Sequence, residues 1–177
     1  MNGTELKTLR QSLFMSVAEA AKLHQVQERV YRYWEAGEWA VPDDVAARMH
    51  SMDKYADSIV QDETGLARRL RMFQVGPPGA VLVRFASDAD LWAMEPSASR
   101  VPAAVHAAGI DRTRRALAAE GYAVRVVTLD RAAYTEYRAG PGFTDTPENR
   151  TRWARTMTDP PPRAKKTIQP SGEEKTV

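Results

Sequence analysis

Apolar residues recur at helical spacing through the first 74 positions of the chain. Leu6, Leu9 and Leu13 predict a first helix over about 4–13, with Thr4 as its N-cap. A longer series follows Pro42 and continues at steps of mostly three and four residues to Phe73. This series predicts one long helix, or two nearly continuous helices, through about residue 74.

Residues 15–37, which read MSVAEAAKLHQVQERVYRYWEAG, lie between these two segments. Ser16 and Glu19 form the S-x-x-E pattern of a capping box, which starts a short helix. A turn at 24–26 separates it from a second helix over about 27–36, and Gly37 is suited to end that helix. Two short helices joined by so tight a turn predict a helix-turn-helix, which presents its second helix to the major groove of DNA.

Composition and periodicity change after the Gly-Pro-Pro-Gly break at 76–79. Segments 80–85 and 123–129 read as strands. Ser87, Asp111 and Asp130 are predicted N-caps of three helices, the second reaching about Glu120 and the third Ala139. The predicted order is β-α-α-β-α, and the predicted fold class is α+β. Two strands alone make a marginal sheet, which helices on one face or pairing across a dimer would stabilise. This module is the predicted dimerisation element.

The predicted organisation has three parts. Residues 1–75 form a helix-turn-helix domain with a long connecting helix, and residues 76–143 form the small α/β dimerisation domain. Residues 144–177 are rich in proline and lack periodicity, so a largely disordered basic tail is expected there.

The composition of the chain excludes some classes of protein but does not by itself indicate a function. The chain has 177 residues, of which 43% are hydrophobic, a net charge of +2 and no cysteine. No apolar run approaches the roughly 20 residues of a membrane span, and the N-terminus does not read as a secretory signal. We therefore expect a cytoplasmic protein. Basic and acidic side chains nearly balance within residues 1–75, so DNA affinity has to come from where the charges lie.

Residues 1–50 resemble the Cro and phage-repressor type of helix-turn-helix, and within it the anti-CRISPR-associated regulators. The matching pieces are NGTEL at 2–6, SVAEAA at 16–21, Arg29, YWEAG at 33–37 and AVPDDV at 40–45. The resemblance implies a homodimeric repressor that binds an inverted repeat in the promoter of its own operon. It also implies an ion pair between Glu35 and Arg10, which links the second helix of the helix-turn-helix to the first helix of the chain.

Two residues depart from the usual pattern of such repressors. Gln25 stands where glycine is usual, and a non-glycine residue in left-handed conformation costs about 1 kcal/mol or more. Gln27 stands where a small N-cap residue is usual. The core prediction for this domain comprises Leu9, Val26, Tyr31 and Trp34.

Four side chains on the second helix are candidates for contact with bases, namely Glu28, Arg29, Arg32 and Tyr33. Arg29 is the first choice, because bidentate arginine to guanine is the commonest specific contact and discriminates by about 1–3 kcal/mol. Arg32 suits a base or a phosphate, and Glu28 suits cytosine or an i,i+4 pair with Arg32. Tyr33 suits a thymine methyl group or a phosphate, and a place in the core is its alternative.

Three further residues are candidates for phosphate contact, namely Ser16, Lys22 and Gln27. Ser16 and Gln27 lie at helix N-termini, where backbone N–H groups favour anions. Simple helix capping is the alternative role for both residues, and the two roles are compatible. Lys22 lies on the exposed face of its helix.

The sequence predicts no enzyme, cofactor or metal site. His24, His50 and His106 lack ligand spacing, and no Gly-rich phosphate loop or nucleophile motif is present. The alternative function is an antitoxin, whose N-terminal domain binds DNA while its C-terminal module neutralises a protein partner. A third hypothesis makes the helix-turn-helix a module that contacts protein or RNA.

Overall fold

The computed structural model describes residues 1–72, 76, 78–140 and 143–157. Eight α-helices and two β-strands are assigned in this part of the chain. The first four helices are α1 Gly3–Ser12, α2 Val17–Leu23, α3 Glu28–Ala36 and α4 Asp43–Arg71. They are followed by β1 Gly79–Arg84, α5 Asp88–Met94, a 3-10 turn Pro96–Ala98, α6 Ala103–Ala119, β2 Ala123–Thr128, α7 Arg131–Tyr137 and α8 Pro147–Thr156. The mixed α+β class is confirmed, with helices in the majority.

Side-chain caps set where several helices begin. The predicted N-caps Ser16, Ser87 and Asp130 each accept a hydrogen bond from a backbone N–H in the first turn. The prediction of Thr4 as the first cap is wrong. Asn2 caps α1, because its side chain accepts from the Glu5 amide while the Glu5 carboxylate accepts from the Asn2 amide.

A single helix, α4, connects the two halves of the molecule. It runs for 29 residues after Pro42, with Asp43 and Asp44 in its first turn and three arginines in its last. These charges favour both ends of the helix dipole. Its buried side chains pack against α1 near the N-terminal end and against α6 further along. Phe73, which the sequence pattern includes in this helix, lies outside the described residues.

The start of α6 corrects the sequence prediction. Asp111 is not an N-cap, since the helix begins at Ala103, where the carboxylate of Asp88 accepts a hydrogen bond from the backbone N–H at 2.7 Å. Asp111 instead lies within the helix and pairs with Arg114 and Arg115 one turn later. A capping side chain from a neighbouring helix is not visible in local sequence, which is why the helix start was misplaced.

The sheet contains two parallel strands, paired from Gly79 with Ala123 to Arg84 with Thr128. α6 covers one of its faces, where Ala80, Leu82, Val124 and Val126 join a small core with Ile110 and Leu117. α8 packs beside β1. Most of the other buried apolar side chains form a larger core that includes the four N-terminal helices.

The expectation of disorder from residue 144 is wrong for Pro147–Thr156. Thr146 caps α8, and Trp153 is buried at 1% exposure. The buried Arg150 guanidinium donates to both oxygens of Asp145 (2.8 and 2.7 Å), to the Met94 carbonyl oxygen (2.7 Å) and to Glu95. A polar helix held by a buried arginine has no apolar periodicity to reveal it. Residues 158–177 of the predicted tail lie outside the described residues.

Among the helices of the described residues, none has the length and apolar character that crossing a membrane requires.

α6 lies close against α4 at Gly109, and this contact predicts opposite effects on stability for substitutions of two glycines. A Cβ atom at Gly109 would lie 2.8 Å from Ile59 Cδ1 and 2.9 Å from the Ala56 carbonyl oxygen, whereas one at Gly65 would meet only the Arg69 side chain, at 3.6 Å. We expect Gly109→Ala to lower the free energy of unfolding by about 1–3 kcal/mol. Gly65→Ala, the matched control, should raise it by up to about 1 kcal/mol through helix propensity. Urea denaturation measures both, and equal effects would contradict the close packing.

A buried histidine predicts how stability depends on pH. His106 is 7% exposed and meets the Phe85 ring edge to face at 4.9 Å, and burial lowers its pKa from 6.5 to about 4. The folded state disfavours the charged form of His106. The stability that comes from burying the neutral ring is therefore fully present above pH 6.5 and is lost as the pH falls toward 4. When the pH is lowered from 7 to 4, the free energy of unfolding of the native chain should fall by about 3 kcal/mol more than that of the His106→Gln variant.

Urea denaturation at several pH values measures the difference between the two chains. The exposed His50 provides the matched control, His50→Gln. Parallel stability curves for the native chain and His106→Gln would contradict the assignment.

Candidate nucleic-acid interface

A nearly buried ion pair fixes the third helix against the first. Arg10 Nε donates to Glu35 Oε1 at 2.6 Å and Arg10 Nη2 donates to Oε2 at 3.3 Å, with side-chain exposures of 10% and 9%. Arg10 Nη1 also donates to the Met15 carbonyl oxygen at 2.7 Å. One guanidinium therefore joins α1, the start of α2 and α3, and the expected link between Glu35 and Arg10 is confirmed.

Gly3 allows the two helices to approach at their ends. A Cβ atom there would lie 2.2 Å from the Trp34 carbonyl oxygen and 2.8 Å from that of Glu35. Both obstacles are backbone atoms and cannot rotate away. The glycine of the NGTEL piece is therefore required where α1 begins against the C-terminal end of α3.

The turn between α2 and α3 has the left-handed residue that the spacing requires. Gln25 has φ +58°, and the Val26 amide donates to the Ala21 carbonyl oxygen at 3.0 Å. α3 ends at Gly37 with φ +77°, as predicted. Gln27, the first residue of the predicted helix, is instead the N-cap residue just before α3, and its side chain makes no capping bond.

The four base-contact candidates lie along α3, with Glu28, Arg29 and Arg32 exposed and Tyr33 half-buried. Arg29 Nε donates to the Tyr33 hydroxyl at 2.6 Å, and the guanidinium lies 5.3 Å from the centre of the Tyr33 ring. Arg29 is therefore held in place on the helix surface. Glu28 and Arg32 form an exposed pair at 3.3 Å, which contributes little to stability.

The phosphate candidates are not equivalent. The Ser16 hydroxyl donates to the Glu19 carboxylate at 2.7 Å and accepts from the Glu19 amide at 3.1 Å, so the predicted capping box is formed. The Gln27 side chain is exposed beside the N-terminus of α3. Lys22 is exposed in the last turn of α2.

The predicted core side chains of this region are buried to different degrees. Tyr31 is fully buried and Trp34 is 7% exposed, whereas Leu9 and Val26 are partly buried and pack against that core. His24 stacks on Tyr31, and its burial, reinforced by Arg48, lowers its pKa to about 4. His24 is consequently neutral near pH 7 and adds no charge to this surface.

Two exposed aromatic residues were missed by sequence reasoning. Phe14 and Trp39 are each 51% exposed, and the Trp39 ring lies 4.8 Å from that of Tyr33. Phe14 has φ +59°, in the loop between α1 and α2. An aromatic residue two positions after the helix-ending Gly37 is the signal that would have drawn attention to Trp39.

Nothing in the described part of the chain brings three or more histidine or acidic side chains together as a metal site requires.

The part of the chain that contains the helix-turn-helix and the long helix after it matches a known sequence family. Residues 1–72 match the Aca2/YdiL-like family. We refer to these residues as the Aca2/YdiL-like region. One similar protein is the Aca2 repressor of Pectobacterium phage ZF40, which is 44% identical over 50 residues. That alignment covers 28% of this chain and 43% of the relative, so the chain spans less than half the length of the curated protein it matches.

The ion pair between Arg10 and Glu35 predicts that loss of a buried carboxylate lowers the stability of the fold much more than loss of an exposed one. Glu35→Ala should cost about 3–5 kcal/mol, because it leaves the Arg10 charge buried without a partner. Replacing both residues, Arg10→Met with Glu35→Leu, should recover much of that loss. The exposed Glu28 provides the matched control, and Glu28→Ala should change stability by less than about 0.5 kcal/mol. Equal losses for the two single variants in urea denaturation would contradict the role of the pair.

Proposed function

We propose that this protein is a sequence-specific, non-enzymatic DNA-binding transcriptional repressor. It acts as a homodimer on an inverted-repeat operator in the promoter of its own anti-CRISPR-type operon. The observation that carries the proposal is the exposed face of α3, where Arg29 is held by Tyr33 and Arg32 lies one turn further on. The match of residues 1–72 to the Aca2/YdiL-like family and the similarity to a protein named a repressor support it.

The proposed base contacts are made by α3 lying in the major groove. Arg29 donates two hydrogen bonds to guanine, and its hydrogen bond to the Tyr33 hydroxyl limits the freedom it loses on binding. Glu28 and Arg32 separate from each other and contact cytosine and an adjacent base or phosphate. Tyr33 contacts a thymine methyl group or the backbone.

The proposed phosphate contacts flank this helix. Ser16 and Gln27 bring the N-termini of α2 and α3 to the DNA backbone, where the helix dipoles favour a phosphate. Lys22 supplies a positive charge from α2. Because charge over the Aca2/YdiL-like region is nearly balanced, we expect a modest number of phosphate contacts and a correspondingly shallow dependence on salt.

The proposed dimer forms through the outer edge of β2. The amides of Ala123 and Leu129 donate to carbonyl oxygens at either end of β1, at 2.9 and 2.8 Å. Since backbone groups alternate along a strand, those of Val124, Val126 and Thr128 point away from β1. No backbone hydrogen bond joins them to another element of the described chain. Pairing of two such edges extends a two-stranded sheet to four strands.

Binding to DNA from just upstream of the gene tests the function directly. Fluorescence anisotropy over a salt series, with unrelated DNA as competitor, should give binding that resists the competitor and weakens as salt rises. Footprinting should then reveal two half-sites whose centres lie about 34 Å apart on one face of the duplex. Binding no tighter than to competitor DNA would contradict the proposal and favour a protein or RNA partner.

A substitution of Arg29 provides the sharpest test of the proposed base contacts of α3. Arg29→Ala should weaken operator binding by about 1–3 kcal/mol and relax the preference at one base pair, because a bidentate contact is lost. Tyr33→Phe should have a smaller effect, since it removes only the hydroxyl that positions Arg29. Arg131→Ala, on α7, is the matched control for the loss of one positive charge. Unchanged affinity and sequence preference for Arg29→Ala would contradict the assignment.

The outer edge of β2 predicts how the dimer can be broken. Thr128→Pro removes an outward backbone donor without removing a bond to β1, so it should convert the dimer to a monomer. Thr128→Ala is the matched control and should remain dimeric. Sedimentation equilibrium of the full chain measures both. A dimer that survives Thr128→Pro would place the interface elsewhere.

A further inference from the structure

A recess lies between the helix-turn-helix and the C-terminal module, and the function proposed above does not use it. Its volume is about 480 Å³. α2 and its following turn contribute Lys22 and Gln25, α4 contributes Arg48, and the connection between α5 and α6 contributes Arg100 and Pro102. A recess of this size falls within the roughly 300–1,000 Å³ typical of small-molecule sites.

Three positive side chains line the recess, namely Lys22, Arg48 and Arg100. No salt bridge or side-chain hydrogen bond joins any of them to another residue in the described part of the chain. Unpaired cations around a concave surface create a positive potential that attracts an anion.

The two carboxylates that line the recess are already engaged. Glu19 accepts from the Ser16 amide and hydroxyl, both at 2.7 Å, and Asp88 accepts from the Ala103 amide at 2.7 Å. Both carboxylates are therefore directed to backbone N–H groups at helix starts. The three cations remain available to a ligand.

The recess also has an aromatic wall. Trp92 lines it and is 40% exposed, and its indole N–H donates to the Val101 carbonyl oxygen at 2.7 Å, which fixes the ring without a ligand. Arg100 adopts a left-handed backbone with φ +74°, a conformation that costs a non-glycine residue about 1 kcal/mol or more. Strain of this kind is found at ligand sites, where it holds a side chain in position.

We propose that this recess binds a small anion with a planar ring, such as an aromatic carboxylate or a nucleoside monophosphate. The ring packs on Trp92 and Pro102, and the anionic group pairs with Arg48 and Arg100. Lys22 is shared with the proposed DNA backbone contact, so occupancy of the recess lowers affinity for the operator. The binding itself does not depend on the proposed function.

Spectra of the ¹⁵N-labelled full chain without DNA test the binding. The indole N–H signal of Trp92 is assigned by its loss in Trp92→Phe. Adenosine monophosphate and 1-naphthoate are the ring-bearing probes, and inorganic phosphate is the control for charge alone. We expect both ring-bearing probes to shift this signal saturably, and to bind at least about tenfold more tightly than phosphate.

Variants separate this site from non-specific attraction. Arg100→Asn keeps a residue that tolerates the left-handed backbone, and it should weaken probe binding by about tenfold. Arg48→Met should have a similar effect, and Arg131→Ala should have none. Equal binding to native chain and Arg100→Asn, or no saturable shift up to about 10 mM probe, would overturn the proposal.

A DNA duplex that carries the operator tests whether the recess binds the DNA backbone instead of a small anion. If DNA alone shifted the Trp92 signal and blocked both probes while Arg100→Asn weakened only DNA binding, the recess would be a contact for the DNA backbone, and the small-anion proposal would be overturned. Lower operator affinity in the presence of adenosine monophosphate, absent in Arg100→Asn, would support the coupling. Because the probe titrations contain no DNA, they remain decisive even if operator binding fails.

Discussion

Along α4, Ala56 and Ile59 lie against Gly109 of α6 at a distance that leaves no room for a side chain. This contact gives the rest of the molecule its arrangement, because the same helix also carries Val45 and Met49 into the core beneath the helix-turn-helix. The N-terminal helices and the small sheet are therefore positioned by one continuous rod rather than by a linker. Packed helices of this kind are bistable or rigid and do not deform continuously.

Charge is distributed within the helix-turn-helix in a way that its composition conceals. Arg10 and Glu35 neutralise each other inside the domain, while Arg29 and Arg32 remain at the surface of α3. A nearly balanced total charge thus coexists with exposed hydrogen-bond donors on the helix that we propose contacts DNA. The buried pair sets the direction in which that helix points, so the two groups of charges have separate tasks.

The local signals in the sequence predicted the geometry of the helix-turn-helix well. Ser16, Gly37 and the turn at Gln25 each act through their own backbone or nearest neighbours, and each has the predicted geometry. The errors lie where a distant residue decides. Asp88 sets the start of α6 from the preceding helix, which no local pattern at Ala103 records.

The same reason explains the missed C-terminal helix and the missed recess. α8 is anchored by Arg150, whose partners Met94 and Glu95 lie more than 50 residues away along the chain, and by Trp153, the one large apolar side chain of this polar helix. Lys22 could be recognised as a cation on an exposed face. Its proximity to Arg100 and Trp92 required knowledge of how α2 lies beside the connection between α5 and α6.

The parallel pairing of β1 with β2 has a consequence for how the protein is made. A parallel pair needs a long crossover, and here the crossover contains α5 and α6. During synthesis from the N-terminus, the Aca2/YdiL-like region emerges before α6 exists. The side of α4 that holds Ile59 and Ala67 stays uncovered until residue 119 has left the ribosome, and the sheet forms only when β2 follows. Over that interval the nascent chain exposes an apolar stripe that chaperones recognise, and the time spent translating the crossover sets how long it stays exposed.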